Sequence, residues 1–188
     1  MASYDNELLT AARRLLTRRA GQPGKLPSAR IRRSISTSYY ALFHFLLEEA
    51  GIRLLGSHND LRRRRRILAR TFTHAGMKVA LDKVRGTNVH DSVEDFLRAA
   101  GAPAGSVPSP VFAQNIAKAF SDAQAKRHDA DYDLNRPLSE TDARFLRTRV
   151  KRAIAGWRAA STASDRDFKH ALCMLMLLRG QLRREKEN

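Results

Sequence analysis

Apolar residues in this chain recur three and four apart, and nowhere do they alternate one-in-two as a half-buried strand requires. Leu8, Leu9, Ala12, Leu15 and Leu16 set the spacing over residues 6–20. Phe168, Ala171, Leu172, Leu175 and Leu178 repeat it near the other end, with Met174 and Met176 beside them. Each such series buries one stripe of a helix against its neighbours, so the expected class is all-α.

Breakers and caps divide the rest. Gly21, Pro23, Gly24 and Pro27 end the first helix. Ser28 caps a second that is expected to run to about Ala50, with Gly51 as its stop. Leu54 to Asn59 is a short connection into a third helix, kinked at Gly76 and ending near Gly86. Gly86, Gly101, Pro103, Gly105, Pro108 and Pro110 mark 86–110 as a connection with one short helix at about 92–99. Helix resumes at Val111 and is expected to reach about Ala125. Asp131-Tyr132-Asp133 and Asn135-Arg136-Pro137 read as a turn. Ser139 and Asp142 have capping-box spacing and open a helix from Thr141 to about Ala160. A last helix is expected from Asp165 to about Arg184. At this length, residues 1–188 are read as a single domain.

Charge narrows the partners. Thirty-five Lys and Arg against 19 Asp and Glu give a net charge of +16 and a pI near 11.1, a surface suited to polyanions. Arg62, Arg63, Arg64, Arg65 and Arg66 form one run and are the candidate nucleic-acid contacts; on a helix they spread around the circumference. Arg144, Arg147, Arg149, Lys151, Arg152 and Arg158 add charge further on. An acidic protein partner would suit the same faces. Cys173 is the only cysteine, which excludes an intrachain disulfide and fits a reducing compartment. No apolar run approaches the roughly 20 residues of a membrane span, and the opening residues lack an apolar signal core. A cytoplasmic protein without membrane contact is expected. The six histidines show no metal-ligand spacing, and no Gly-rich phosphate loop is present, so neither metal nor cofactor is expected.

Two segments carry candidate chemistry. On the second helix, Arg33, Tyr40 and His44 fall within about 40° of one line, beside a core face of Tyr39, Phe43, Leu46 and Leu47. Later comes Arg127-His128-Asp129-Ala130-Asp131-Tyr132-Asp133. Together with Gly56-Ser57-His58 and the Ser139-Glu140…Ala143 opening, these residues resemble the HEPN superfamily, in particular the branch carrying an Arg-x-x-Ala-Asp-Tyr signature. The resemblance covers roughly residues 5–160. In its light, 86–110 looks like an insertion and the helix over about 164–186 like an extension.

The resemblance implies a HEPN-like bundle of four to five core helices that pairs into a homodimer, in a toxin–antitoxin or defence setting. Many such proteins are metal-independent endoribonucleases in which an Arg is followed, after about four to six residues, by a His. Arginine suits that chemistry because it stabilises phosphorane charge and grips phosphate through two N–H groups. Here Arg127 is followed, after four intervening residues, by Tyr132 instead of His, and His128 is directly adjacent. A phenol with a pKa of about 10 is a poor base at neutral pH. By the resemblance, Tyr132 is also a residue that a partner nucleotidyltransferase could modify. The candidate catalytic set is Arg127, His128, Asp131 and Tyr132, with Arg33, Tyr40 and His44 supporting the cleft. The rival expectation is a non-catalytic module that binds RNA, or an antitoxin or nucleotidyltransferase-type partner, while Arg127 and Asp131 form a structural ion pair.

Overall fold

Seven α-helices follow one another among the residues that the computed structural model describes: 3–18, 24–91, 94, 96, 98 and 107–180. They are α1 (Tyr4–Leu15), α2 (Ser28–Leu55), α3 (Arg62–Ala69), α4 (His74–Asp82), α5 (Val111–Tyr132), α6 (Glu140–Ala159) and α7 (Ala163–Leu177). One 3-10 turn, Asn59–Leu61, precedes α3. The only extended pairing among the described residues is an isolated antiparallel bridge, Asn88 to Pro108. It is closed by Val89 N donating to Val107 O at 3.0 Å and Ser109 N donating to Thr87 O at 2.8 Å. The class is all-α, as the apolar spacing predicts. No helix among the described residues is long and apolar enough to cross a membrane.

Several boundaries differ from those expected. The second helix does not stop at Gly51, which is helical and where an added Cβ would meet the Arg65 stem at 3.3 Å. It runs on to Leu55, where Gly56 at φ +94° supplies the left-handed residue and donates to Ile52 O at 2.8 Å. The expected third helix is two helices. Thr73 caps the second of them by accepting from Gly76 N at 3.1 Å, so Gly76 lies within a first turn and not at a kink. The fifth helix passes Ala125 and carries Arg127 to Tyr132 in helical conformation, which moves the turn to 133–137. The expected box at Ser139 and Asp142 is present in both directions: Asp142 N donates to Ser139 Oγ at 3.0 Å, and Ser139 N donates to Asp142 Oδ2 at 3.1 Å. The last helix starts at Ala163 on a Thr162–Asp165 capping box and ends at Leu177. The expected short helix at 92–99 lies largely outside the described residues, as do Gly21, Pro23 and the chain after residue 180.

The chain divides into two compact units, and α2, α5 and α6 contribute residues to both. The first comprises Met1–Phe45 and Ala119–Ala155. Its core holds Leu9, Ala12, Leu16, Ile35, Tyr39, Leu42, Phe120, Leu146 and Val150, all buried. Each large apolar side chain there contributes about 1.5–3 kcal/mol relative to exposure. Ser34 Oγ donates to Ala12 O at 2.9 Å, and Arg144 Nη2 donates to Leu16 O at 3.0 Å, which fixes α1.

The second unit comprises Leu46–Lys118 and Gly156–Asn188. Leu46, Met77, Leu81, Ile116, Trp157, Leu172 and Leu175 are buried in it. Trp157 Nε1 donates to Glu49 Oε2 at 2.7 Å. Lys169, 2% exposed, donates to Trp157 O at 2.6 Å and also to Ala160 O, so a cation meets the carbonyl end of α6. Its Nζ stands 5.1 Å from the Phe112 ring centroid, and burial holds its pKa below the usual lysine value.

Candidate functional site

Every fourth residue along α2 between 32 and 44 is polar or ionisable: Arg32, Ser36, Tyr40 and His44. A step of four drifts only about 40°, so these side chains form a slowly turning stripe. In the first unit that stripe meets the last turns of α5. Arg32 donates from Nη1 to Asp129 O at 3.0 Å, Ala130 O at 3.2 Å and Asp133 O at 2.9 Å. From Nη2 it reaches Leu134 O at 3.1 Å and Arg136 O at 2.7 Å. The last carbonyls of a helix have no partner within it, and a guanidinium can satisfy several at once. Ser36 Oγ donates to Asp131 Oδ1. Asp133 Oδ1 then accepts from the backbone N–H of Asn135 and of Arg136, both at 3.1 Å, and turns the chain away.

Arg127 is the hub. Its Nε donates to Asp131 Oδ2 at 2.8 Å, one helical turn on. Its Nη2 donates to Tyr40 Oη at 3.1 Å and, at the long limit of 3.4 Å, to Tyr132 Oη. The guanidinium carbon lies 5.8, 5.5 and 5.6 Å from the ring centroids of Tyr39, Tyr40 and Tyr132. With its side chain 18% exposed, burial opposes the charge. Tyr40, Asp131 and Tyr132 together outweigh that and hold its pKa above the ordinary arginine value. Nη1 has no protein partner among the described residues. Tyr39 beneath is fully buried, and its phenol is pushed up by burial against the opposing pull of Arg127.

The structure thus brings Arg127, Asp131, Tyr132 and Tyr40 into one cluster. His128 follows Arg127 about 100° around the helix, yet its ring centroid is 5.3 Å from that of Tyr132, so it borders the cluster; no hydrogen bond joins its ring to Arg127 among the described residues. His44 is one turn beyond Tyr40, with ring centroids 6.2 Å apart, and burial lowers its pKa. Arg33 is exposed, and no bond of its guanidinium occurs among the described residues. Arg32, its neighbour, faces α5 instead. Sequence reasoning missed Arg32 as a clamp, although the four-residue stripe was visible. It also missed Tyr4, whose ring lies 5.2 Å from that of His44, because nothing local connects residue 4 to residue 44.

The arginine run belongs to the second unit. Arg62, Arg63, Arg64 and Arg66 are exposed there. Arg65 is different: its Nη1 donates to Gly56 O at 2.6 Å and His58 O at 2.9 Å, closing the loop before α3. Among the described residues no group of three or more His, Cys, Asp or Glu could hold a metal ion. Cys173 is buried and its thiol is pushed up to about 12 by burial, which makes it inert as a nucleophile. Comparison with protein-family models, with curated proteins and with solved structures finds no match for this chain.

Proposed function

We propose that this chain is a HEPN-type, RNA-directed protein of a toxin or defence system, in which Arg127 holds a phosphodiester and binding, not cleavage, is the principal act. One observation carries this reading. Arg127 is fixed on Nε and Nη2 by Asp131 and Tyr40, while Nη1 is left for a ligand in a half-buried, aromatic-walled position. A guanidinium held in advance loses little side-chain freedom on gripping an oxyanion. Asp131 already balances its charge, so affinity must draw on the wider positive field of a +16 chain.

Cleavage finds less support. Transfer of the 2′-hydroxyl proton needs a base within hydrogen-bond reach, and among the described residues no imidazole is hydrogen-bonded to Arg127. One observation favours cleavage as the second reading: His128 flanks Tyr132, so a phenol and an imidazole stand together beside the cation. The test is incubation of the purified protein with tRNA and total RNA in EDTA, beside Arg127→Ala. The binding reading expects intact RNA, retarded on a gel at low salt and released by the substitution. Cleavage that disappears in Arg127→Ala would instead establish the nuclease. Retardation unchanged by the substitution would remove Arg127 from the account.

A further inference from the structure

The cluster does not end at Arg127. Ring and cation contacts continue in one row through the first unit. Tyr4 is 5.2 Å from His44, His44 6.2 Å from Tyr40, and Tyr40 5.5 Å from the Arg127 guanidinium. Arg127 is 5.6 Å from Tyr132, and Tyr132 5.3 Å from His128. The row is open toward both ends, with Tyr4 53% and Tyr132 66% exposed and His128 exposed beyond it. An aromatic phenol left that exposed at a helix start does not serve the core.

We propose that Tyr4, backed by His44, is a nucleobase-stacking subsite, so that the row takes unpaired nucleotides of a single RNA strand with a phosphate at Arg127. This rests on Arg127 being the phosphate position. The chemistry of the row selects the ligand. A cation at its centre repels the methylated ammonium groups that aromatic cages otherwise favour. Flat π-systems joined by anionic linkers fit both features, and a polynucleotide is that alternation. Edge-to-face packing at 71° between Tyr4 and His44 steadies the phenol ring, and burial lowers the imidazole pKa, which disfavours a charge behind the ring. Bases in a duplex are already stacked on one another and cannot use such a row; stacking on a protein aromatic is sequence-tolerant because every base has a π-face.

The experiment measures binding of a short single-stranded RNA to wild type, Tyr4→Ala, Tyr4→Phe and Arg127→Ala by fluorescence anisotropy in EDTA. A fully abasic strand with the same phosphates serves as the second ligand. Tyr4→Ala is expected to weaken the normal strand by about five-fold or more, while Tyr4→Phe, which keeps the ring, stays within roughly two-fold of wild type. The abasic strand should bind wild type and Tyr4→Ala alike, and more weakly than the normal strand binds wild type. Equal affinity of Tyr4→Ala and wild type for the normal strand would overturn the subsite. So would an abasic strand that binds wild type as tightly as the normal one, a result independent of any variant's folding. If Arg127→Ala weakens both strands while Tyr4→Ala weakens neither, only the subsite fails. If Arg127→Ala changes nothing, the phosphate position itself fails.

Discussion

Arg32 shows how much one side chain can organise. Five backbone carbonyls between Asp129 and Arg136 accept from its two terminal nitrogens. They belong to the last turn of α5 and the bend after it, the stretch that must be still for Asp131 to hold Arg127. Hydrogen bonds to a charged group contribute about 1.5–3 kcal/mol, and acceptors left unpaired add their desolvation cost. Because much of this stretch is solvent-accessible, water replaces part of what is lost. Arg32→Ala is expected to destabilise the protein by about 2–3 kcal/mol in urea unfolding. Arg32→Lys should recover little of it, since one ammonium cannot span the same acceptors; full recovery by lysine would contradict the clamp. In the sequence, Arg32 and Arg33 are equivalent neighbours. Which one faces α5 follows from the rotation of α2, and that is fixed by where Tyr39 and Leu42 find their core. Tyr40 and Arg127 were legible because both lie in short patterned segments. The role of Ser36 was not legible, because its bond to Asp131 joins residues 95 positions apart.

At the scale of elements, caps decide where helices begin and how they respond to acid. Ser139 and Asp142 cap α6, and Lys126 Nζ, from α5, donates to Asp142 Oδ1 at 2.7 Å. The Lys126 hydrogen bond first, then those from Ser139, hold the Asp142 carboxyl down at about 2, against an ordinary 3.8. The sign follows directly. A carboxylate depressed in the folded state stabilises it fully above the unfolded value, and the contribution is lost as pH falls from about 4 to about 2. Asp142→Asn is therefore expected to unfold at lower urea concentration at pH 7 and to show a shallower loss of stability across that acid range. A variant with the wild-type acid slope would contradict the assignment. This cap was legible because a Ser with an acid three residues on is a local signature. The end of α2 was not, because Gly51 and Gly56 look alike in sequence. Gly51 lies inside the helix beside the Arg65 stem, while Gly56 takes the left-handed turn. Nor was the end of α5 legible: the Arg127–Asp131 pair and the Arg32 clamp, a long-range contact, carry the helix seven residues past Ala125.

For the whole molecule, helical spacing and charge together foretell an all-α chain with affinity for polyanions. The helical content is present; the anion is a proposal that converges on one guanidinium. The arginine run, prominent in sequence, includes one residue, Arg65, engaged with loop carbonyls, while Arg127 is inconspicuous in composition and central in structure. The most direct test observes that guanidinium itself. With arginine side chains labelled with nitrogen-15, and the Arg127 Nε–H signal assigned by its absence in Arg127→Lys, a short single-stranded RNA is titrated in EDTA. The Arg127 signal is expected to shift progressively and saturate together with the overall binding curve. An Arg127 signal that stays in place while the protein binds the RNA would put the phosphate elsewhere and contradict the account.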